Sequence, residues 1–269
     1  MSASKPPGVK DYRKWLREEL GVEVSQATRT FYETVASRIV LQLQHATLWE
    51  QLCEQLPDYD SQYRVETSYP LLATPEKPKL HIKPFESVLE KSYRKNIIDN
   101  DVWPCEPEEG WVLPDNWFTR INDIIRTLIV VKYLDGVEFL GRRIEGLCRS
   151  HDLPCQLLLE AREEGYYAAH IETCRQFEVP DIHWDTKRID VPIEIQITTQ
   201  PQEVIRRLLH RYYEERRLKS SSDRQHTWKW DYHSDEFTAA YLGHILHYVE
   251  GMIMEIRARQ REEYYDRLA

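Results

Sequence analysis

The chain has 269 residues, 41% hydrophobic and 30% charged, with a formal net charge of -9. This is the composition of a folded globular protein long enough to bury a proper core, and it excludes a disordered chain. The acidic balance excludes a protein that binds nucleic acid through overall charge, so a polyanionic partner has to be met by local cationic patches. Five cysteines (Cys53, Cys105, Cys148, Cys155, Cys174) are odd in number, scattered and without metal-ligand spacing, as for reduced thiols in a cytoplasm. No cationic segment leads into an apolar run, and no apolar run is long enough to span a bilayer. Neither a signal peptide nor a membrane anchor is expected, and no membrane partner.

From about Asp11 to Leu56 the sequence predicts two helices broken near Gly21; Phe31, Val35, Ile39, Leu43, Leu48, Leu52 and Leu56 form one apolar stripe on the second. Between Pro57 and Pro84 the composition turns to Pro, Tyr, Asp and Thr, with β-like pieces such as Tyr63 to Thr67. A linker is predicted there, with or without a hairpin. A helix follows Pro84, whose fixed φ suits a first turn. Lys83, Ser87, Lys91 and Arg94 project from it in nearly one direction, with Lys95 nearby, a cationic stripe interrupted only by Glu90. Such a stripe is ordinarily a solvated face. Asp101 to Trp117 reads as a loop rich in Pro and Trp.

Asn122 to Val131 is predicted as a central strand, apolar on both faces, with Asp123 at its entrance. Val137 to Cys148 is a helix with Val137, Leu140, Ile144 and Leu147 inward, and strands are predicted at 155–160, 166–174 and 189–199. In the last strand Val191, Ile193, Ile195 and Ile197 share one face, and Glu194, Gln196 and Thr198 the other. A half-solvated amphipathic strand explains that pattern, yet Glu194 between isoleucines is costly to bury unless it meets a cation or metal, or does chemistry. The C-terminal third is helical. Val204, Ile205, Leu208, Leu209 and Tyr212 form an inward face, with Arg206, Arg207, Arg211, Arg216 and Arg217 mostly elsewhere. A polar loop from Leu218 to Ser234 carries Trp228 and Trp230. Phe237, Tyr241, Ile245, Tyr248, Met252 and Ile256 then define a long closing helix; on it His244 and His247, lacking a third ligand, read as partnered or surface histidines rather than a zinc site. The alternation of elements predicts a mixed sheet covered by helices.

Two acids on neighbouring strands, Asp123 and Glu194, with the Gly165-Tyr166 turn and the cationic helix, make the parts of a phosphoryl-transfer site: carboxylates for Mg²⁺, cations for phosphate charge, an aromatic face for a base. In order, the motifs resemble the synthetase domain of the RelA/SpoT family, which transfers the pyrophosphate of ATP to a ribose 3′-hydroxyl. The resemblance runs from about Lys83 to the end of the closing helix. It rests on Lys83-Pro84-Phe85-Glu86-Ser87 with Lys91 and Arg94, on Asp123-Ile124-Ile125, on residues 133–139 (YLDGVEF), on 165–170 (GYYAAH) and on 194–199 (EIQITT).

The resemblance implies a mixed α/β, nucleotidyltransferase-like fold: a sheet of about five strands flanked by helices, with an N-terminal helical extension over 1–60, a synthetase domain over 61–269 and a long C-terminal helix. It implies Mg²⁺ on Asp123 and Glu194, with Glu194 also taking the proton of the attacking hydroxyl. ATP falls to Lys83, Ser87, Lys91, Arg94 and Arg126. Tyr166 stacks on the acceptor base, with His170 and Gln196 beside it and the small Ala168 leaving room. The chain departs from the family at four positions: Arg126 stands where Gly is usual, and Leu128, Tyr167 and Thr198 stand where Arg is usual. Arg126 shares a strand face with position 128 at roughly 7 Å and can partly replace that cation.

Subgroups of small single-domain members of the family diverge in this way, and some are toxins, paired with an antitoxin, that modify the tRNA 3′ CCA end. Here Arg206, Arg207 and Arg211, with the tryptophan loop, would contact the tRNA; a solvated helix face explains the same residues equally well. The readings are therefore a cytoplasmic stand-alone pyrophosphokinase acting on tRNA or on GDP or GTP, or a catalytically silent nucleotide-binding regulator. The sequence leaves the oligomeric state open.

Overall fold

The structure is a computed structural model that describes residues 4–163, 165–181, 185–217 and 229–266, the side chains of 209–217 and 262–266 excepted. In chain order the elements are α1 (Val9–Glu19), α2 (Gln26–Gln44), α3 (Thr47–Thr67), β1 (Leu80–Ile82), α4 (Phe85–Tyr93) running into a π-helical turn (Arg94–Ile98), α5 (Trp117–Arg120), β2 (Ile125–Val131), α6 (Leu134–Ser150), β3 (Cys155–Ala161), β4 (Tyr167–Pro180), β5 (Thr186–Thr199), α7 (Gln200–Arg217) and α8 (Asp235–Asp266).

The break near Gly21 is present: its φ of +66° suits a residue without a Cβ. A capping box between Ser25 and Thr28 then starts α2. The stripe predicted as one helix is two, because Ala46 adopts an extended conformation between α2 and α3. The β-like piece Tyr63 to Thr67 is also corrected, being the last turn of α3, which runs through Pro57. Tertiary burial overrides local preference here. Leu52, Leu56 and Tyr63 are buried on the inner face of α3, and the Tyr63 hydroxyl donates to Asp135 Oδ1 at 2.6 Å.

The sheet is mixed and five-stranded in the order β1-β2-β5-β4-β3, with β2 and β5 parallel and the other pairs antiparallel. Ile129, Ala169, Ile171, Ile195 and Ile197 pack against α3 and α6, whose inward residues include Leu140, Ile144 and Leu147. Each fully buried branched side chain of this kind contributes about 1.5–3 kcal/mol. A second cluster joins α1, α2 and α4 to Ile125, Phe177, Val179, Val191 and Ile193.

Three sequence expectations need correction. Strand β2 begins at Ile125, so Asp123 lies in the turn before it, and the strand is buried on one face only: Arg126, Leu128 and Val130 are half-buried on the other. In α7, Ile205 is buried but Val204 and Leu208 are exposed; Leu209 and Tyr212 fall outside the described side chains. In α8 the stripe Tyr241, Ile245, Tyr248, Met252 and Ile256 is exposed, and Ala239, Ala240 and Glu250 are buried instead. The cause is close approach: a Cβ at Gly243 would collide with the Gly165 carbonyl, so only small residues fit on the inner side of α8 at this point. Among the described residues no helix is long and apolar enough to cross a membrane.

Candidate active site

The register of β2, β5 and β4 aligns polar residues in rows across one sheet face. Arg126 is the cross-strand partner of Glu194, which is the partner of Glu172; the next row runs Leu128, Gln196, His170. Asn122 donates to Glu172 Oε2 at 2.9 Å, which draws the turn carrying Asp123 over the Glu194 row.

Asp123 is gripped by two ammonium groups, Lys83 Nζ at 2.8 Å from Oδ2 and Lys91 Nζ at 2.8 Å from Oδ1. Lys83 follows β1 and is fixed through its backbone, whose N–H donates to the Ile124 carbonyl at 2.8 Å and whose carbonyl accepts from the Tyr32 hydroxyl. Lys91 comes from the second turn of α4. Burial alone would push the Asp123 carboxyl up, but Lys91 and Lys83 overcome it and hold the group well below the usual carboxylate range. Burial pulls the Lys83 ammonium down against the opposing attraction of Asp123.

Glu194 is 7% exposed, and both its oxygens are engaged: Oε1 lies 2.7 Å from His170 Nδ1, and Oε2 accepts from Gln196 Nε2 at 2.7 Å. His170 Nε2 lies 3.0 Å from Glu160 Oε2 and 3.1 Å from the Tyr166 hydroxyl. Tyr166 and His170 therefore share a face, as the alternation predicts. Burial pushes the Tyr166 hydroxyl up to about 12, with Glu160 and Glu194 adding to the shift. The Arg162 guanidinium stands 5.3 Å from the centroid of the Tyr166 ring, within cation–π range.

The remaining sequence candidates are placed as follows. Ser87 is half-buried on α4, one turn before Lys91. Arg94 opens the π-helical turn, where an extra residue per turn changes the direction of projection; its Nε lies 3.3 Å from Asp99 Oδ2. Arg206 and Arg207 both pair with Glu203 at 2.6 Å. Arg211, Arg216, Arg217 and Trp228 fall outside the described side chains, and Trp230 is exposed. Sequence reasoning missed Glu160, Arg162 and Glu172. The run Leu157-Leu158-Leu159-Glu160 shows no alternation, so nothing in it marked Glu160 as facing His170.

Chemically, Asp123 and Glu194 are hard oxygen donors. Each of their four oxygens has one close partner in the contacts above, and a carboxylate oxygen has a further lone pair to offer. Hard oxygen donors set beside ammonium groups are what a Mg²⁺-nucleotide site requires. No protein-family model and no curated protein matches the chain. Among solved structures, the small alarmone synthetase 1 from Bacillus subtilis superposes with a TM-score of 0.52 at 17% identity, over 84% of this chain and 97% of that one. A GTP pyrophosphokinase family protein from Streptococcus pneumoniae gives 0.52 at 18% identity, over 86% and 95%. The Bacillus subtilis synthetase bound to its product pppGpp gives 0.50 at 17%, over 84% and 97%. The likeness is one of fold.

Proposed function

We propose that this chain is a Mg²⁺-dependent pyrophosphokinase that moves the β,γ-pyrophosphate of ATP to a ribose 3′-hydroxyl. The observation that carries the reading is Asp123 between two lysines, in a turn that Asn122 ties to Glu172, the cross-strand neighbour of Glu194, with Glu194 linked through His170 to Tyr166. Lys83, Lys91 and Arg126 offset triphosphate charge, with Ser87 and Arg94 at the edge of the donor site. The acceptor base stacks on Tyr166, with Arg162 near the ring, while His170 and Gln196 hold Glu194 in place. The acceptor 3′-oxygen attacks the β-phosphorus, its proton passes to Glu194, and AMP leaves. The donor set suits Mg²⁺, which is usually bound through one or two carboxylates together with substrate phosphates; held by Asp123 and Glu194, it would supply charge neutralisation at the transferring group.

For the acceptor we favour the 3′ end of tRNA, which would make the protein a toxin with an antitoxin partner. Lys229, next in sequence to the exposed Trp230, lies 3.7 Å from Glu163 of the β3–β4 hairpin. A cation and an aromatic side chain at the hairpin that leads into Tyr166 suit a single-stranded end. The second reading, GDP or GTP as acceptor, is favoured by the pppGpp product of the Bacillus subtilis neighbour.

ATP labelled in its β- and γ-phosphates, supplied with Mg²⁺ and either deacylated tRNA, GDP or GTP, separates the readings. Label in the tRNA band is expected; label in a nucleotide product selects the alarmone reading, and ATP bound but intact with every acceptor selects a silent regulator. Asp123→Asn and Glu194→Gln should each lower transfer by about 10²–10⁴-fold. Full activity in either removes the two-carboxylate mechanism.

A further inference from the structure

The strand that presents Tyr166 is gripped from behind. Tyr167 projects to the opposite sheet face, where its hydroxyl lies 2.8 Å from His244 Nδ1 of α8 and its ring stacks on His247, with centroids 3.6 Å apart and planes 6° from parallel. His244 Nε2 lies 2.8 Å from the Glu163 carbonyl. A carbonyl only accepts, so Nε2 donates there and Nδ1 is left to accept from Tyr167. One histidine thus spans both sides of the Gly165 turn.

The backbones also touch. Gly165 has φ of +77°, and a Cβ on it would collide with the Ala240 carbonyl, while one on Gly243 would collide with the Gly165 carbonyl. From β5, Thr198 Oγ1 donates to the Tyr167 carbonyl at 3.2 Å. Tyr167 and Thr198 are two of the positions where the resemblance leads one to expect arginine, and here both serve to hold the start of β4. The Tyr167 ring borders a cavity of ≈ 430 Å³ together with Val137, Leu159, Thr199, His247 and Met254, so its orientation has to be fixed from the α8 side. The two histidines do that.

We propose that Gly243, His244 and His247 of α8 are positioning residues that hold Glu163, Gly165 and Tyr167 in place and thereby set the orientation of Tyr166 and the use of the acceptor. Adjacent strand residues point to opposite faces, so fixing Tyr167 on the reverse face fixes Tyr166 on the catalytic one. The acceptor part of the proposal rests on the pyrophosphokinase reading; the lock itself does not.

Two measurements on His247→Ala, His244→Ala and Gly243→Ala test it, with His244→Gln, which retains a donor and an acceptor, as the conservative variant. The first is hydrogen–deuterium exchange of amides 162–170 in the full chain. The second is the KM for ATP and for whichever of tRNA, GDP or GTP the wild type labels. The lock predicts faster exchange in 162–170 in all three variants with exchange of β2 and β5 unchanged, a KM for the acceptor raised about tenfold with the KM for ATP within about twofold, and partial recovery in His244→Gln. Should Gly243→Ala fail to fold, the histidine variants carry the test. Unchanged exchange in the histidine variants overturns the lock, and faster exchange with equal losses for both substrates overturns the link to the acceptor. A wild type that transfers to no acceptor retires the pyrophosphokinase reading and the acceptor link with it, while the exchange data still decide the lock.

Discussion

Glu194 and Glu250 are buried to nearly the same extent, 7% and 5% exposed, yet their surroundings differ. Both oxygens of Glu194 meet partners, Oε1 His170 Nδ1 and Oε2 Gln196 Nε2. Glu250 on α8 accepts from Gln202 Nε2 at 3.2 Å through Oε2, and its buried Oε1 has no hydrogen-bond partner. Burial accordingly raises the Glu250 carboxyl above its ordinary value of 4.5, against the opposing hydrogen bonds from Thr199 and Gln202. A carboxyl raised in the folded state binds its proton more tightly there than in the unfolded chain. Its contribution is therefore fully present below 4.5 and is lost as pH rises through the folded value. Glu250→Gln should raise the melting temperature at pH 7.5, by the equivalent of about 1–3 kcal/mol. The gain should shrink as pH is lowered toward 4.5. An unchanged melting temperature at pH 7.5 would show that Glu250 does not bear the desolvation cost assigned to it.

Helix α8 is also held farther along, about 21 Å along its axis from Gly243. There the Arg257 guanidinium sits 4.3 Å from the ring centroids of both Tyr69 and Tyr133, and its NH1 donates to Asp135 Oδ1 at 3.2 Å and to the Tyr63 hydroxyl at 3.3 Å. This ties α8 to α3 and α6. Arg257→Ala removes the cation–π contacts with Tyr69, Tyr133 and Tyr63 and leaves the Asp135–Tyr63 pair without its cation, a loss of about 2–4 kcal/mol. Urea unfolding followed by circular dichroism measures it; a loss below about 0.5 kcal/mol would mean that the cluster does not hold the helix. None of this was legible in the sequence. The periodicity located α8 but assigned its aromatic and aliphatic stripe to the inside, because a hydrophobic pattern does not report that Gly165 and Gly243 must touch. Helices α4 and α6 and strands β4 and β5 were legible, since their apolar spacing and burial coincide, although β4 continues to Pro180 and β5 starts at Thr186. The boundary between α2 and α3 was not, because one extended residue at Ala46 leaves no compositional mark. The shared faces of Glu194 with Gln196 and of Tyr166 with His170 followed from alternation within a strand, whereas the rows across β2, β5 and β4, and Glu160, depended on register, which no local pattern encodes.

At the scale of the molecule the net charge of -9 is no obstacle to a polyanionic donor, because Lys83, Lys91 and Arg126 are gathered at one site. That site leans on the N-terminal helices. The Tyr32 hydroxyl donates to the Lys83 carbonyl, while the Tyr12 hydroxyl lies 2.8 Å from Ser92 Oγ and accepts from Asn96 Nδ2 at 2.7 Å, just beyond Lys91. Tyr12, Leu16, Tyr32, Val35, Ile39 and Leu43 are buried in the same cluster as Val88, Leu89, Val191 and Ile193. Six such side chains at about 1.5–3 kcal/mol each amount to as much as the 5–15 kcal/mol net stability of a typical domain. We therefore expect α1 and α2 to fold with the sheet as one cooperative unit, although the motifs that carry the resemblance begin only at Lys83. Deleting residues 1–46 should yield a chain with no cooperative thermal transition and no ATP binding, and the full chain should unfold in a single transition by both tyrosine fluorescence and far-ultraviolet circular dichroism. A truncated protein that melts cooperatively and still binds ATP would instead make the helices a separable layer. In that case Tyr12 and Tyr32 would have no role in setting the height of Lys83 and Lys91 above Asp123.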